Sequence, residues 1–450
     1  MNKQNLGNAN TNTSSNVFDP LTGLKKYEYF VSDLKRIISE NKNTPDFKLA
    51  IVYSDIRHFK YLNDTFGYNR GNELLKMYSE FISKPNPRFL GNCHVYSDNF
   101  ISATNVSGIT EERFYTEIDK RNKNFEEIIK PFFFDRPILL NTGVYILRDA
   151  LNEDIETAIS NANYARKESK KFNTDQCVQF SDQMMKDIIF RMELSASLPM
   201  AIETKEIKVF FQPKVDSVTN KVIGAEALAR WIKKDGSMIY PDQFIPLLES
   251  NGMIVELDYY VYREVFKYIR ERLDAGLEVV PISMNISRVH FKNDELGPYI
   301  EELLAQYKIP TEYIEFELTE SIYIDSIHRI LPFVNKMRSL GIKISMDDFG
   351  SGYSSLNLLN NLPIDVLKLD KVFLSNDNLS RNQKIILSCV ISMAKQLHIK
   401  VLCEGVENKH QSEFLTTAGC DMFQGFYFSR PICEENFNQY LKDNEIYDSK

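Results

Sequence analysis

The chain has 450 residues, a length that exceeds one ordinary core and predicts two domains, each able to bury a core of its own. Its formal net charge of -8 removes the basic surface that a nucleic-acid polymer or an anionic membrane would select, so any phosphate ligand needs a local metal ion or arginine. Six cysteines without a CxxC pair and six scattered histidines argue against zinc, and no apolar run reaches ~18 residues, so the chain reads as a soluble cytoplasmic protein, its thiols reduced and most in core positions.

In chain order, residues 1–16 are rich in Asn, Thr and Ser and read as a disordered N-terminus. A first domain spans 17–182. It opens on Asp19-Pro20-Leu21-Thr22-Gly23-Leu24, has an apolar strand ending at Asp55 with a helix after it, and carries Phe59-Lys60, Asn63-Asp64, Gly67, Gly71, Gly143 and Lys167. Residues 183–203, with Met185, Ile188, Ile189, Met192 and Leu194, read as a helix that either links two domains or opens the second.

From 204 to 445, short β-branched runs end on polar groups: Phe210-Phe211-Gln212, Val222 to Glu226, Val279 to Asn285, Ile314 to Glu317, Lys343 to Asp348, Val366 to Lys368, Lys400 to Glu404, and Met422 to Gln424. Helical spacing fills the intervals, as in Leu257, Val261, Val265 and Ile269, or Ile385, Ile386, Val390 and Ala394. This alternation predicts an α/β fold with a parallel sheet, and the strand count suits a (β/α)8 TIM-like barrel. An open doubly wound sheet ranks second, because no Gly-rich phosphate fingerprint follows a strand. Barrels carry their chemistry at strand C-terminal ends, where these polar residues fall. The adjacent acids Asp347 and Asp348 imply a bound cation, a shared proton or plain solvent exposure. A metal here would be bound by oxygen, which points to Mg2+ or Mn2+. Taken singly, Glu226 could be a solvated strand end, Asn285 a turn former and Lys368 a surface lysine.

Taken together, Glu226-Ala227-Leu228, Asn285 in Ser-Met-Asn-Ile-Ser, Glu317-Leu318-Thr319-Glu320, Asp347-Asp348-Phe349-Gly350, Lys368-Leu369-Asp370, Glu404-Gly405-Val406-Glu407 and Gln424-Gly425-Phe426 resemble the EAL family of cyclic di-GMP phosphodiesterases over about residues 190–440. The resemblance implies two divalent cations held by Glu226, Asn285, Glu317, Asp347 and Asp348, which polarise a phosphodiester and activate water to release 5'-pGpG. It implies that Lys368 orients or helps activate the water, that Glu404 and Gln424 support the metal and water shell, and that Gln212, Leu228, Arg230 and Gln424 contact the substrate. Glu320 and Glu407 are expected in supporting roles. The loop Phe349-Gly350-Ser351-Gly352-Tyr353 is expected to reshape with metal or a partner subunit, near which barrels of the family pair as homodimers. A noncatalytic cyclic di-GMP receptor is the alternative, disfavoured because no metal ligand is lost; an enzyme for an unrelated phosphorylated substrate is more remote.

The first domain resembles the GGDEF family of diguanylate cyclases over about residues 17–180, with its palm-type α/β fold. The signature reads Tyr96-Ser97-Asp98-Asn99-Phe100. Tyr96 would place a ring where paired glycines let the turn approach phosphates. Asn99 replaces a metal-binding acid, Asn72 replaces the acid expected to face the guanine edge, and Pro87-Arg88-Phe89-Leu90 stands where an inhibitory Arg-x-x-Asp would be. No cyclase activity is expected. The domain would serve in regulation or dimer contact, with weak GTP binding through Asn63, Asp55 and Lys167 as the other use.

Overall fold

The computed structural model describes residues 17–44, 46–133, 138–171, 176–350, 363–374 and 379–444. The expectations for residues 1–16 and for Ser351, Gly352 and Tyr353 of the loop after the Asp pair lie outside them. The chain separates into two compact units, Met1–Ile189 and Phe190–Lys450. No helix among the described residues is long and apolar enough to cross a membrane.

In the first unit, β1 (Leu49–Ile56), β2 (Phe89–Tyr96), β3 (Asn99–Asn105), β4 (Leu140–Ile146) and β5 (Val178–Gln179) form one sheet in the order β2-β3-β1-β4-β5. β1 runs antiparallel to both neighbours and is buried at every position, so its last polar groups, Ser54 and Asp55, come to lie inside the unit. A Cβ at Gly143 of β4 would stand 2.1 Å from the Ala162 carbonyl and the Arg166 amide. Only bare backbone lets the helix Ile155–Lys171 pack so closely on the sheet.

The second unit contains β6 (Ile207–Asp216), β7 (Val222–Ile232), β8 (Met238–Ile239), β9 (Ile282–Asn285), β10 (Ile314–Thr319), β11 (Lys343–Phe349), β12 (Val366–Leu369), β13 (Lys400–Cys403), β14 (Met422–Phe423) and β15 (Ile432–Cys433). Eight of them close a barrel in the order β6-β7-β9-β10-β11-β12-β13-β14, with β14 returning to β6. From β7 to β14 every barrel pair is parallel, whereas β6 is antiparallel to β7 and to β14. The expected all-parallel barrel is corrected at this strand. The cause is local: the turn after Asp216, in which the Asp216 carboxylate accepts from the Val218 and Thr219 amides and Asn220 is left-handed, is far too short for a crossover.

Helix Ile254–Asp274 buries Leu257, Val261, Val265 and Ile269, the face its spacing predicted. Helix Arg381–Gln396 instead buries Leu387, Ile391 and Ala394 and exposes Ile385 and Ile386. Two apolar rows lie one position apart on that helix, and spacing alone does not say which meets the strands. Helix Asp182–Glu203 covers the predicted 183–203 segment and buries Leu194, Leu198 and Ala201, leaving Ile189 and Met192 exposed. Among the cysteines, Cys93, Cys403 and Cys420 are buried, Cys177 and Cys433 half-buried and Cys389 exposed, so half rather than most are core residues.

Gly425, next to Gln424 at the end of β14, faces the Val406 backbone; a Cβ there would stand 2.2 Å from the Val406 carbonyl oxygen. Backbone cannot rotate aside as a side chain can. Gly425→Ala is therefore expected to cost about 2 kcal/mol, as overpacking does, and to lower the barrel's unfolding midpoint in denaturant. An unchanged midpoint would contradict this packing account.

Candidate active site

Side chains two apart on a strand share a face. Hence Gln212 with Lys214 on β6, Glu315 with Glu317 on β10 and Ser345 with Asp347 on β11 form polar pairs, and all six are buried. Lys368 of β12 lies at the centre, with no exposed surface. Its Nζ is 2.5 Å from Glu317 Oε2, 2.7 Å from Glu404 Oε1, 3.0 Å from Asp347 Oδ1 and 3.6 Å from Glu226 Oε2. One ammonium thus serves acids from four other strand ends.

The charges set one another. Burial opposes the Lys368 ammonium, but Asp347, Glu226, Glu317 and Glu404 outweigh it and hold it protonated well above the usual lysine range. Burial pushes Glu226 up, and Glu317 beside it adds to the effect. Burial also pushes Glu404 up, to about 8, against the pull of Lys368. Glu317 goes the other way: burial would raise it, yet Lys214 and Lys368 bring it down to about 2. Glu317 is held ionised, while Glu226 and Glu404 compete for too little positive charge.

Adjacent residues of a regular strand point to opposite faces, so Asp347 and Asp348 could not both serve one site without an irregularity. β11 supplies it. Its register with β12 shifts between Met346 and Phe349, and Asp348 is left-handed with φ 56°. A bulge of this kind re-aims a side chain. Asp348 then joins Asp347, Asn285, Leu228 and Glu320 in lining a cavity of about 770 Å³ beside the carboxylates. Burial, followed by the charge of Asp347, pushes Asp348 up to about 6.

Neighbouring amides complete the frame. Asn285 Nδ2 donates to Glu226 Oε1 at 2.9 Å, and Gln424 Nε2 donates to Glu226 Oε2 at 2.6 Å and to Gln212 Oε1 at 3.0 Å. The Gln424 Oε1 is buried and has no hydrogen-bond partner among the described residues. Tyr262 donates its hydroxyl to the Asn285 carbonyl at 2.9 Å. The Gly350 amide points to Glu320 Oε2 at 3.4 Å, near the outer limit of a hydrogen bond. Of the predicted residues, Glu407 stays outside the cluster: it is exposed, and its backbone amide caps onto Gln411. Arg230 is half-buried and donates to the neighbouring Ala229 carbonyl, with its guanidinium 5.9 Å from the Phe210 ring centre.

Residues that strand-end reading missed lie one layer deeper. Lys214 Nζ is 2.8 Å from Glu317 Oε1 and 3.0 Å from Glu315 Oε1, and Ser345 Oγ donates to the same Glu315 oxygen at 2.5 Å. The period of two along β6, β10 and β11 was the signal that could have found them.

The donor set suits a hard divalent cation. Glu226, Glu317 and Asp347 each offer an oxygen within 4.8 Å of the others, and so do Asp347, Asp348 and Glu404. All these donors are oxygens, and the raised Glu226 and Glu404 show a local excess of negative charge that a cation would relieve.

In the first unit the acid at the end of β1 is already paired. Asp55 is buried, binds Arg166, and lies 2.5 Å from Lys170 Nζ and from the donating Asn141 Nδ2. Asp98 accepts from the Ile56 amide at 3.1 Å, and burial, then Asp55, pushes its carboxyl up. In the signature hairpin Ser97 is left-handed, and the Tyr96 ring is exposed. Asn63 packs against Gly71, while Lys167 is exposed.

Residues 195–431 match the family model of the EAL domain, and residues 16–176 match that of the diguanylate cyclase GGDEF domain. Signaling protein YkoW of Bacillus subtilis is 30% identical over 428 residues, covering 94% of this chain and 53% of its own length. Cyclic di-GMP phosphodiesterase NbdA of Pseudomonas aeruginosa is 30% identical over 437 residues, covering 94% of this chain and 54% of its own. The chain thus spans about half the length of these curated relatives. A solved structure of the PaMucR phosphodiesterase in complex with c-di-GMP is 33% identical, with a TM-score of 0.52, over 54% of this chain and 99% of that one. The EAL match covers more than half the chain and coincides with the barrel that gathers these acids, so the protein belongs to the EAL family and carries a GGDEF-family domain ahead of its EAL domain.

Proposed function

We propose that the barrel is a metal-dependent phosphodiesterase that hydrolyses cyclic di-GMP to linear 5'-pGpG, and that the GGDEF domain has a regulatory or dimerisation role without cyclase activity. The observation that carries this reading is the convergence of Glu226, Glu317, Asp347 and Glu404 on the single buried ammonium of Lys368. The cyclic di-GMP named for NbdA and bound to the PaMucR structure supports the choice of substrate.

Glu226, Asn285, Glu317, Asp347 and Asp348 would hold Mg2+ or Mn2+. Bound there, the cations supply Lewis-acid polarisation of a phosphoryl oxygen and make a water nucleophile available near neutral pH. The remaining work falls to side chains. Water adds across one P–O3' bond: its oxygen bonds to phosphorus, a proton passes to a carboxylate, and the 3' oxygen leaves and takes up a proton. Glu404, pushed up to about 8 in the metal-free site, would accept that proton once bound cations have driven off its own. In the metal-free site the surrounding carboxylates hold Lys368 as an ammonium, which suits it to orient the water and neutralise charge. Gln424 keeps Glu226 in place through its amide nitrogen, and its unpartnered Oε1 can accept from water or substrate. Gln212, Leu228 and Arg230 are assigned to the substrate.

In the first domain, Arg166 and Lys170 neutralise Asp55, and Asn99 replaces an acid in the signature, so two nucleotide-bound cations would find little charge to hold them. This favours the regulatory role over Mg-GTP turnover.

Purified protein given cyclic di-GMP with Mg2+ or Mn2+ should form 5'-pGpG by chromatography. Glu226→Ala and Lys368→Ala should each lower turnover by at least about 10²-fold, and the same protein given GTP should make no cyclic di-GMP. Binding without hydrolysis under either metal would favour the receptor reading.

The Glu404 carboxyl adds a pH dependence. Below about 8 it is mostly protonated and neutral in the metal-free site; above, it is charged and attracts a cation. Mn2+ affinity should therefore rise between about pH 6 and 8 with proton release on binding, as calorimetry in buffers of different ionisation enthalpy will measure. A flat affinity with no proton release would contradict it.

A further inference from the structure

We infer that Lys214 is a positioning residue, which holds Glu317 in its metal-binding pose from inside the barrel. The inference rests on Glu317 being a metal ligand, as proposed above.

Glu317 is fully buried, and its two oxygens are divided between two ammonium groups: Oε2 lies 2.5 Å from Lys368 and Oε1 2.8 Å from Lys214. The last torsion of a glutamate is broad and roughly two-fold, so one partner alone would leave the carboxylate plane free to turn. Two partners on different strands fix it. Lys214 can do this because β6 is the antiparallel strand of the barrel, and its register sets Gln212 against Glu226 and Lys214 against Gly224. Gln212 thus stands in the carboxylate layer and Lys214 in the layer beneath. A Cβ at Gly224 would lie 3.8 Å from the Lys214 side chain, ordinary contact, so the lysine stem has its room without displacing β7.

Lys214 is itself held. Its ammonium is 3.0 Å from Glu315 Oε1, which takes the Ser345 hydroxyl at 2.5 Å. Ser345, Glu315, Lys214, Glu317 and Lys368 form a continuous polar chain. Lys214 and Glu315 also line a wide opening of about 1410 Å³ that includes Lys343 and Lys400, the first residues of β11 and β12's neighbour β13. The chain therefore runs from the N-terminal end of the barrel strands to the carboxylates at the other end.

Stability alone gives a poor reason for this arrangement. Barrel interiors are ordinarily filled by branched apolar side chains, and replacing a buried ion pair by apolar residues of similar volume is often neutral or stabilising. A lysine and a glutamate in that layer fit a role exerted through Glu317, in the way outer partners orient metal ligands.

Mn2+ titration calorimetry on the full chain separates this role from a structural one. Lys214→Met should bind Mn2+ at least about 10-fold more weakly than the unmodified protein. Simple charge counting predicts the reverse, because losing a cation beside the site should tighten Mn2+ binding. The double variant Lys214→Met/Glu315→Gln removes both charges of the deeper pair and should show the same weakening; it decides the question if the single variant does not fold. Affinity equal to or tighter than the unmodified protein's in the folded variant overturns the inference while leaving the metal site intact. Failure of the unmodified protein to bind Mn2+ would instead refute the metal site, and the inference with it.

Discussion

Everything at the mouth of the barrel depends on the Lys368 ammonium, enclosed by carboxylates with no exposed surface. Burying charge is costly unless it is paired, and here the pairing is uneven. Four acids crowd one cation, Glu317 claims a second cation from below, and Glu226 and Glu404 are pushed toward their neutral forms. A core built for stability alone would not gather charges in this proportion. A site that admits further positive charge would, and the same surplus would give the proposed metal site its affinity. The pattern of shifted groups is the kind that clusters at functional sites.

Two irregularities of the barrel position these charges. The hairpin after Asp216 forces β6 to run against its neighbours, which brings Gln212 into the layer of Glu226 and Lys214 into the layer beneath. The bulge in β11, with Asp348 left-handed, turns two adjacent acids toward one cavity although a regular strand would separate them. Neither feature follows from packing a regular (β/α)8 barrel, and each serves the site.

Much of this was legible in the sequence. The strand ends at Glu226, Asn285, Glu317, Asp347, Lys368, Glu404 and Gln424 converge because parallel strands deliver their C-terminal residues to one rim, a consequence of topology that apolar periodicity reveals. The reversed strand could have been read too, since the few residues between Asp216 and Val222 allow a hairpin and no crossover. The interior chain from Ser345 to Lys214 was harder, because its members sit inside strands and declare themselves only through alternation. Glu407, given a supporting role by the family pattern alone, emerges exposed beyond the turn that follows β13. In the first unit, the sequence exposes the altered signature, whereas the pairing of Asp55 with Arg166 depends on how closely a helix packs at Gly143.

The most direct test of the account is diffraction from crystals grown with Mn2+, measured at the manganese absorption edge. Anomalous peaks at coordination distance from Glu226, Asn285, Glu317 and Asp347 are the predicted result. A map without a peak among these residues, with Lys368 still the only cation between them, would contradict the claim that the carboxylates form a divalent-metal site.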